Sequence, residues 1–127
     1  MSKLIVMTDP HLVHAPGTII GLDPRARLAE GLAHAATRHA DADRLIILGD
    51  LTSAGDRASY AVLSDILSEA PWPVTLLMGN HDVRAAFREA FPDHPADPSG
   101  YVQSIVDLDD VRLITLDSLD PDLGEAG

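Results

Sequence analysis

Three short stretches hold the side chains with chemical capacity: Asp9-Pro10-His11, Gly49-Asp50 and Gly79-Asn80-His81-Asp82. Carboxylate, imidazole and carboxamide oxygen together suit borderline or harder divalent cations such as Mn, Fe, Zn or Co, whereas a lone Mg site seldom recruits histidine. In an extended segment, residues two apart project to the same side, so Asp9 and His11 form a chelating pair, with Pro10 limiting the freedom between them. Asp50 has two carboxylate oxygens and follows a glycine that permits close backbone approach, so it is suited to bridge two cations about 3.5 to 4 Å apart. The chain has no cysteine, which excludes a thiolate metal site and a disulfide framework.

These stretches need elements to bring them together, and the hydrophobic pattern supplies them. Residues 3–8, 44–48 and 74–78 are continuous apolar runs with β-branched residues, the pattern of parallel strands buried on both faces. Asp23-Pro24 is a helix start, with Asp as N-cap and Pro at the first helical position, and Leu28, Leu32 and Ala36 continue at helical spacing to about residue 40. Tyr60, Leu63, Ile66, Leu67 and Ala70 mark a second helix, ended by Pro71-Trp72-Pro73. A short helix is expected near 83–91, a Pro-rich loop at 92–99, and two strands at 101–108 and 111–117 joined by a turn at Asp109-Asp110. The fold class is therefore α/β, a parallel βαβαβ core followed by an antiparallel hairpin. In such sheets ligands bind beyond the carboxyl ends of the strands, which is where all three stretches fall.

Length and composition restrict the partners. The 127 residues amount to one domain, and 46% hydrophobic content is incompatible with intrinsic disorder. With 9 Lys and Arg against 20 Asp and Glu, the net charge of −11 repels a nucleic-acid polymer, while bound cations beneath a small anion would reverse that field locally. No apolar run approaches the roughly 18 to 20 residues of a membrane span. The run at 4–7 is too short for a signal-peptide core, so the expectation is an unexported, cytoplasmic chain with no membrane partner. The Gly-x-x-x-x-Gly-Lys-Ser/Thr phosphate loop is absent, which excludes a nucleotidase of that type.

Asp9-x-His11, Gly49-Asp50 and Gly79-Asn80-His81-Asp82, in this order and at these strand ends, resemble the calcineurin-like metallophosphoesterases. The final Asp, with Leu22-Asp23, Ala42-Asp43, Asp50-Leu51-Thr52, Tyr60 and Pro73-Val74, is most similar to the class III cyclic nucleotide phosphodiesterase and glycerophosphodiesterase branch. The resemblance implies the first half of an αββα sandwich and hydrolysis of phosphoesters, mainly diesters such as 3',5'-cyclic nucleotides, by a metal-bound hydroxide at a dinuclear site. It makes Asp9 and His11 ligands of one divalent ion, Asp50 the bridge and Asn80 a ligand of the second. His81 becomes a non-ligand that stabilises the transition state or protonates the leaving oxygen. Asp82 becomes the group that holds the ring of His81 in its tautomer.

The family pattern continues with a lone histidine and a Gly-His-x-His motif, which do not follow Asp82 here. The resemblance thus implies a single metallophosphoesterase domain over 1–127, truncated before those ligands. Its site would be completed by a complementing carboxyl-terminal half or by another copy in a homo-oligomer. A half sandwich also leaves a sheet face uncovered, with the run at 45–48 expected to be exposed. A catalytically incomplete metal-binding or assembly module that keeps half of the site is the alternative function. A phospho-accepting receiver domain would explain Asp9 and Asp50, but it needs a lysine after its fifth strand, and the single lysine is Lys3. Taken singly, the candidate residues also suit caps and turns. His14, His34, His39 and His94 read as solvated or loop histidines, the acidic stretch from Asp107 onward as a solvated edge, and Trp72 as a core plug.

Overall fold

The apolar runs pair as a parallel three-stranded sheet in a computed structural model that describes residues 1–14 and 16–123. Strands β1 (Leu4–Met7), β2 (Arg44–Ile47) and β3 (Val74–Leu76) stand in that order, with Ile5 opposite Leu45 and Leu45 opposite Val74. Helices α1 (Pro24–His39) and α2 (Arg57–Leu67) make the two crossovers. The expected strand ends at 48 and 77–78 lie outside the ladder proper, yet Leu48 N still donates to Met7 O at 2.9 Å and Leu77 N to Ile47 O at 3.0 Å. This parallel run of backbone bonds aims the three following loops at one place.

Both helices start where acidic caps stop the loops. Asp23 accepts from the amides of Arg25 and Ala26 at 3.0 and 3.2 Å, with Pro24 in the first turn, and Asp56 accepts from Ser59 N at 3.0 Å. Leu28, Leu32 and Ala35 of α1 and Tyr60 and Leu63 of α2 close over Leu45, Ile47 and Leu76 to form the core. Each fully buried leucine there contributes about 1.5–3 kcal/mol. Trp72 is the expected plug: it is buried, and its Nε1 donates to the carbonyl of His39 at 3.0 Å, tying the end of α1 to the start of β3. Among the described residues no helix is long and apolar enough to cross a membrane.

Helix α3 (Arg84–Ala90) follows β3, and β4 (Ser104–Asp107) and β5 (Arg112–Thr115) pair antiparallel as a separate two-stranded sheet, Ser104 opposite Thr115 and Asp107 opposite Arg112. A buried ion pair holds the hairpin to α3. Arg84 Nε and Nη2 grip the two oxygens of Asp117 at 2.7 and 2.9 Å, and the amides of Val102 and Leu119 add bonds to the same carboxylate. Burial raises the pKa of Asp117, but the guanidinium and these amides outweigh it and hold the carboxyl below its ordinary value.

Three expectations need correction. β1 is not buried on both faces: it is an edge strand, and Val6, on the side away from the helices, is 54% exposed. The run at 45–48 is not the uncovered one, because β2 is central; Leu45, Ile46 and Ile47 are buried, and only Leu48 past the ladder is open. The most exposed apolar strand residues among those described are on the hairpin, where Ile105 and Ile114, cross-strand partners, are each 60% exposed. Finally, the acidic stretch is not uniformly solvated, since Asp117 within it is the buried partner of Arg84.

Candidate metal centre

Loop 8–12 after β1 and loop 48–53 after β2 run side by side as a continuation of the parallel ladder. Asp9 N donates to Gly49 O, His11 N to Asp50 O, Leu12 N to Leu51 O and Ser53 N back to Leu12 O, at 2.9 to 3.2 Å. Asp9, His11 and Asp50 all sit at positive φ, near 45° to 53°, a region that costs a non-glycine residue about 1–3 kcal/mol. Together they are three of the four such residues among those described, so the left-handed backbone is concentrated on expected ligands.

The third loop, 79–82, closes on the second with no room to spare. A Cβ on Gly79 would fall on the carboxylate and amide of Asp50, and one on Gly49 would meet Gly79 N at 2.9 Å. Glycine at both places is what lets Asp50 and Asn80 lie back to back. Asp50 Oδ1 accepts from His81 N at 3.0 Å, and its other oxygen lies 3.5 Å from Nε2 of His11, which is itself 3.7 Å from Asp9. The rings of His11 and His81 meet edge to face at 5.0 Å between centroids. Donor atoms of His11, Asp50 and His81 all lie within 4.8 Å of one another, a cluster able to hold a cation. Asp9, Asp50 and Asn80 line one small polar cavity of about 250 Å³ with Ser118 and Leu119.

The structure thus brings Asp9, His11, Asp50, Asn80 and His81 to one end of the sheet. Asp82 it does not place beside the ring of His81. The turn at 80–81 sends successive side chains in opposite directions, and Asp82 points inward, buried. Its Oδ2 accepts from Leu51 N and Gly79 N at 3.0 and 2.9 Å, and its Oδ1 from Thr52 N, Thr52 Oγ1 and the hydroxyl of Tyr60 at 3.1, 3.2 and 3.0 Å. Burial raises the pKa of Asp82 against the pull of these amides, and burial followed by the charge of Asp82 pushes the Tyr60 phenol far above its ordinary value. The phenol is therefore a permanent donor.

The partner of the His81 ring is the carbonyl of Ser53, 3.0 Å from Nδ1. A carbonyl only accepts, so Nδ1 carries the proton and Nε2 is the unprotonated nitrogen of the neutral ring. No residue type signals a backbone carbonyl, and Ser53 could not be singled out in the sequence. His14, His34 and His39 are exposed, as expected. His94 does more than occupy a loop: half-buried, it accepts from Leu76 N through Nε2 at 3.0 Å and seals the free edge of β3. Burial lowers its pKa.

A parallel sheet whose three carboxyl ends deliver Asp-x-His, Gly-Asp and Gly-Asn-His-Asp defines a metallophosphoesterase half-sandwich. The profile of the calcineurin-like phosphoesterases matches residues 2–122, and the chain belongs to that family. It is 39% identical over 117 residues to a probable cyclic nucleotide phosphodiesterase of Rhodopseudomonas palustris, covering 92% of this chain and 43% of that protein. A probable cyclic nucleotide phosphodiesterase of Rhodococcus erythropolis is 38% identical over 127 residues, covering 93% of this chain and 40% of its own length. A glycerophosphodiester phosphodiesterase of Enterobacter lignolyticus is 31% identical over 80 residues, 60% of this chain and 28% of that protein. The chain spans less than half the length of these relatives.

Family membership implies divalent metal ions, and the donor set passes the chemical test for them. His11, Asp50 and His81 offer nitrogen and oxygen donors within 4.8 Å of one another, and Asp9, Asp50 and Asn80 add two carboxylates and a carboxamide around the adjoining cavity, a donor set of the kind that borderline divalent cations take.

Proposed function

We propose that this chain provides one wall of a divalent-metal-dependent phosphoesterase site that hydrolyses small phosphodiesters, 3',5'-cyclic nucleotides being the leading class. The observation that carries the reading is the convergence of five donor residues from three separate loops onto the carboxyl ends of one parallel sheet. The names of the relatives support the diester preference.

In this reading Asp9 and His11 hold one cation, Asp50 is shared between two, and Asn80 offers its amide oxygen to the second. When bound, such cations neutralise phosphoryl charge and make water available as a nucleophile at neutral pH. His81, with Nδ1–H fixed on the Ser53 carbonyl, presents Nε2 to the leaving oxygen and, in the doubly protonated form of the ring, donates the Nε2 proton to it. Asp82 acts from behind, on the backbone of the loops. Donors from outside this chain, from a complementing segment or a second copy, complete the two coordination spheres, and the open face bearing Ile105 and Ile114 is consistent with such a partner.

The test is hydrolysis of bis(p-nitrophenyl) phosphate and 3',5'-cyclic AMP with added Mn²⁺, by the purified chain alone and by the chain joined to the carboxyl-terminal part of the Rhodopseudomonas palustris relative as a source of outside donors, beside p-nitrophenyl phosphate as monoester. Diester turnover that falls about 100-fold or more in His81→Ala, with Mn²⁺ affinity retained, is the expected result. Mn²⁺ binding without turnover of any ester would instead make the chain an incomplete metal-binding module, and equal loss of metal in His81→Ala would make His81 a ligand.

A further inference from the structure

The three site loops are joined in two unlike ways. Between the first and second, backbone bonds continue the ladder through Leu12 and Ser53. Between the second and third the ladder stops at the bond from Leu77 N to Ile47 O, and side-chain carboxylates bridge the gap. Asp82 is the larger bridge, taking amides from both loops, and Tyr60 on α2 is the group that fixes Asp82 from the core side. Tyr60 is fully buried; its hydroxyl donates to Asp82 Oδ1 and accepts from Val83 N, each at 3.0 Å, so one oxygen holds the carboxylate and the amide that follows it. That leaves neither the phenol nor the amide in need of water.

We propose that Tyr60 is a positioning residue of the metal centre: through its hydroxyl, Asp82 and Val83 it holds the 79–82 turn against the 48–53 loop and so sets the separation of Asn80 from Asp50. This rests on the reading of those two residues as donors to neighbouring cations. Removing the hydroxyl leaves the ring in the core, where it stands edge to face with Phe87, but strips Val83 N of its acceptor and Asp82 of one donor. The turn then moves relative to its neighbour while the sheet beneath stays intact. A merely structural tyrosine would lower stability without selecting this loop.

Tyr60→Phe is compared with Trp72→Phe, which loses a part-buried bond to the His39 carbonyl at the opposite, amino-terminal end of the strands. Amide hydrogen exchange on the metal-free chain and Mn²⁺ titration followed by electron paramagnetic resonance are measured for both, with thermal melts alongside. In Tyr60→Phe, exchange at Leu51, Thr52, Gly79 and Val83 is expected to accelerate by at least about fivefold and Mn²⁺ affinity to fall by about fivefold to tenfold. In Trp72→Phe both stay at the wild-type level although the melting temperature drops. Equal effects in the two variants, or unchanged exchange at those four amides in Tyr60→Phe, would overturn the proposal. Should the wild-type chain bind no Mn²⁺, the proposed function fails and the exchange arm alone decides: selective acceleration supports the positioning role, and its absence removes it.

Discussion

Gly79→Ala probes the contact on which the site geometry depends. The added methyl would land on the carboxylate and amide nitrogen of Asp50, at a place where the loops are already so close that a Cβ on neighbouring Gly49 would also meet Gly79 N and the backbone of Met78. Overpacking of this kind costs about 1–3 kcal/mol. Relief requires the two loops to separate, which stretches the 3.0 Å bond from His81 N to Asp50. Gly31→Ala is the matched control: it lies in α1, where the new methyl finds only the Met7 methyl at 4.0 Å, and helix propensity favours alanine by about 1 kcal/mol. The two variants should therefore differ by about 2–4 kcal/mol in opposite directions from the wild type. Urea unfolding followed by circular dichroism reads this as midpoints displaced to either side, with slopes unchanged. A Gly79→Ala midpoint equal to the wild type, with Mn²⁺ affinity intact, would refute the close-packed account of the loops.

Other consequences follow from the ion pair and the edge-sealing histidine. Asp117→Asn leaves Arg84, whose side chain is only 20% exposed, without its carboxylate, and should cost about 3 kcal/mol in the same unfolding assay. The folded pKa of His94 lies below its ordinary value of 6.5, so the neutral ring contributes stability that is full above that value and is lost as pH falls below it through the folded pKa. Unfolding midpoints for the wild type should drop on acidification across that window, whereas His94→Gln should show a shallower dependence there.

The architecture was legible because its signals are periodic and local. Apolar runs ended by Asp9-Pro10, Gly49-Asp50 and Gly79-Asn80 set three strands within a residue or two, and Asp23-Pro24 marked the first turn of α1. The residues that gather at the strand ends were legible as well, since their types and order suffice. What the sequence did not carry was direction. Neighbours in a tight turn point apart, so the pairing of Asp82 with His81, natural on paper, gives way to Asp82 with Tyr60 and His81 with the Ser53 carbonyl. Tyr60 fits the apolar face of α2 so well that its hydroxyl looks incidental; only the position of the next loop reveals its use. Exposure was misjudged for a similar reason, because apolar content alone does not say which strand is central and which is an edge.

The proposed function requires side chains from three loops to share cations at one strand end. Anomalous diffraction at the manganese edge, from crystals of this chain soaked in Mn²⁺, tests it most directly. The expected result is density coordinated by Asp9, His11 and Asp50, with Asn80 facing a second position beside it. Manganese bound only among the exposed carboxylates of residues 107–122, or none near Asp50, would contradict it.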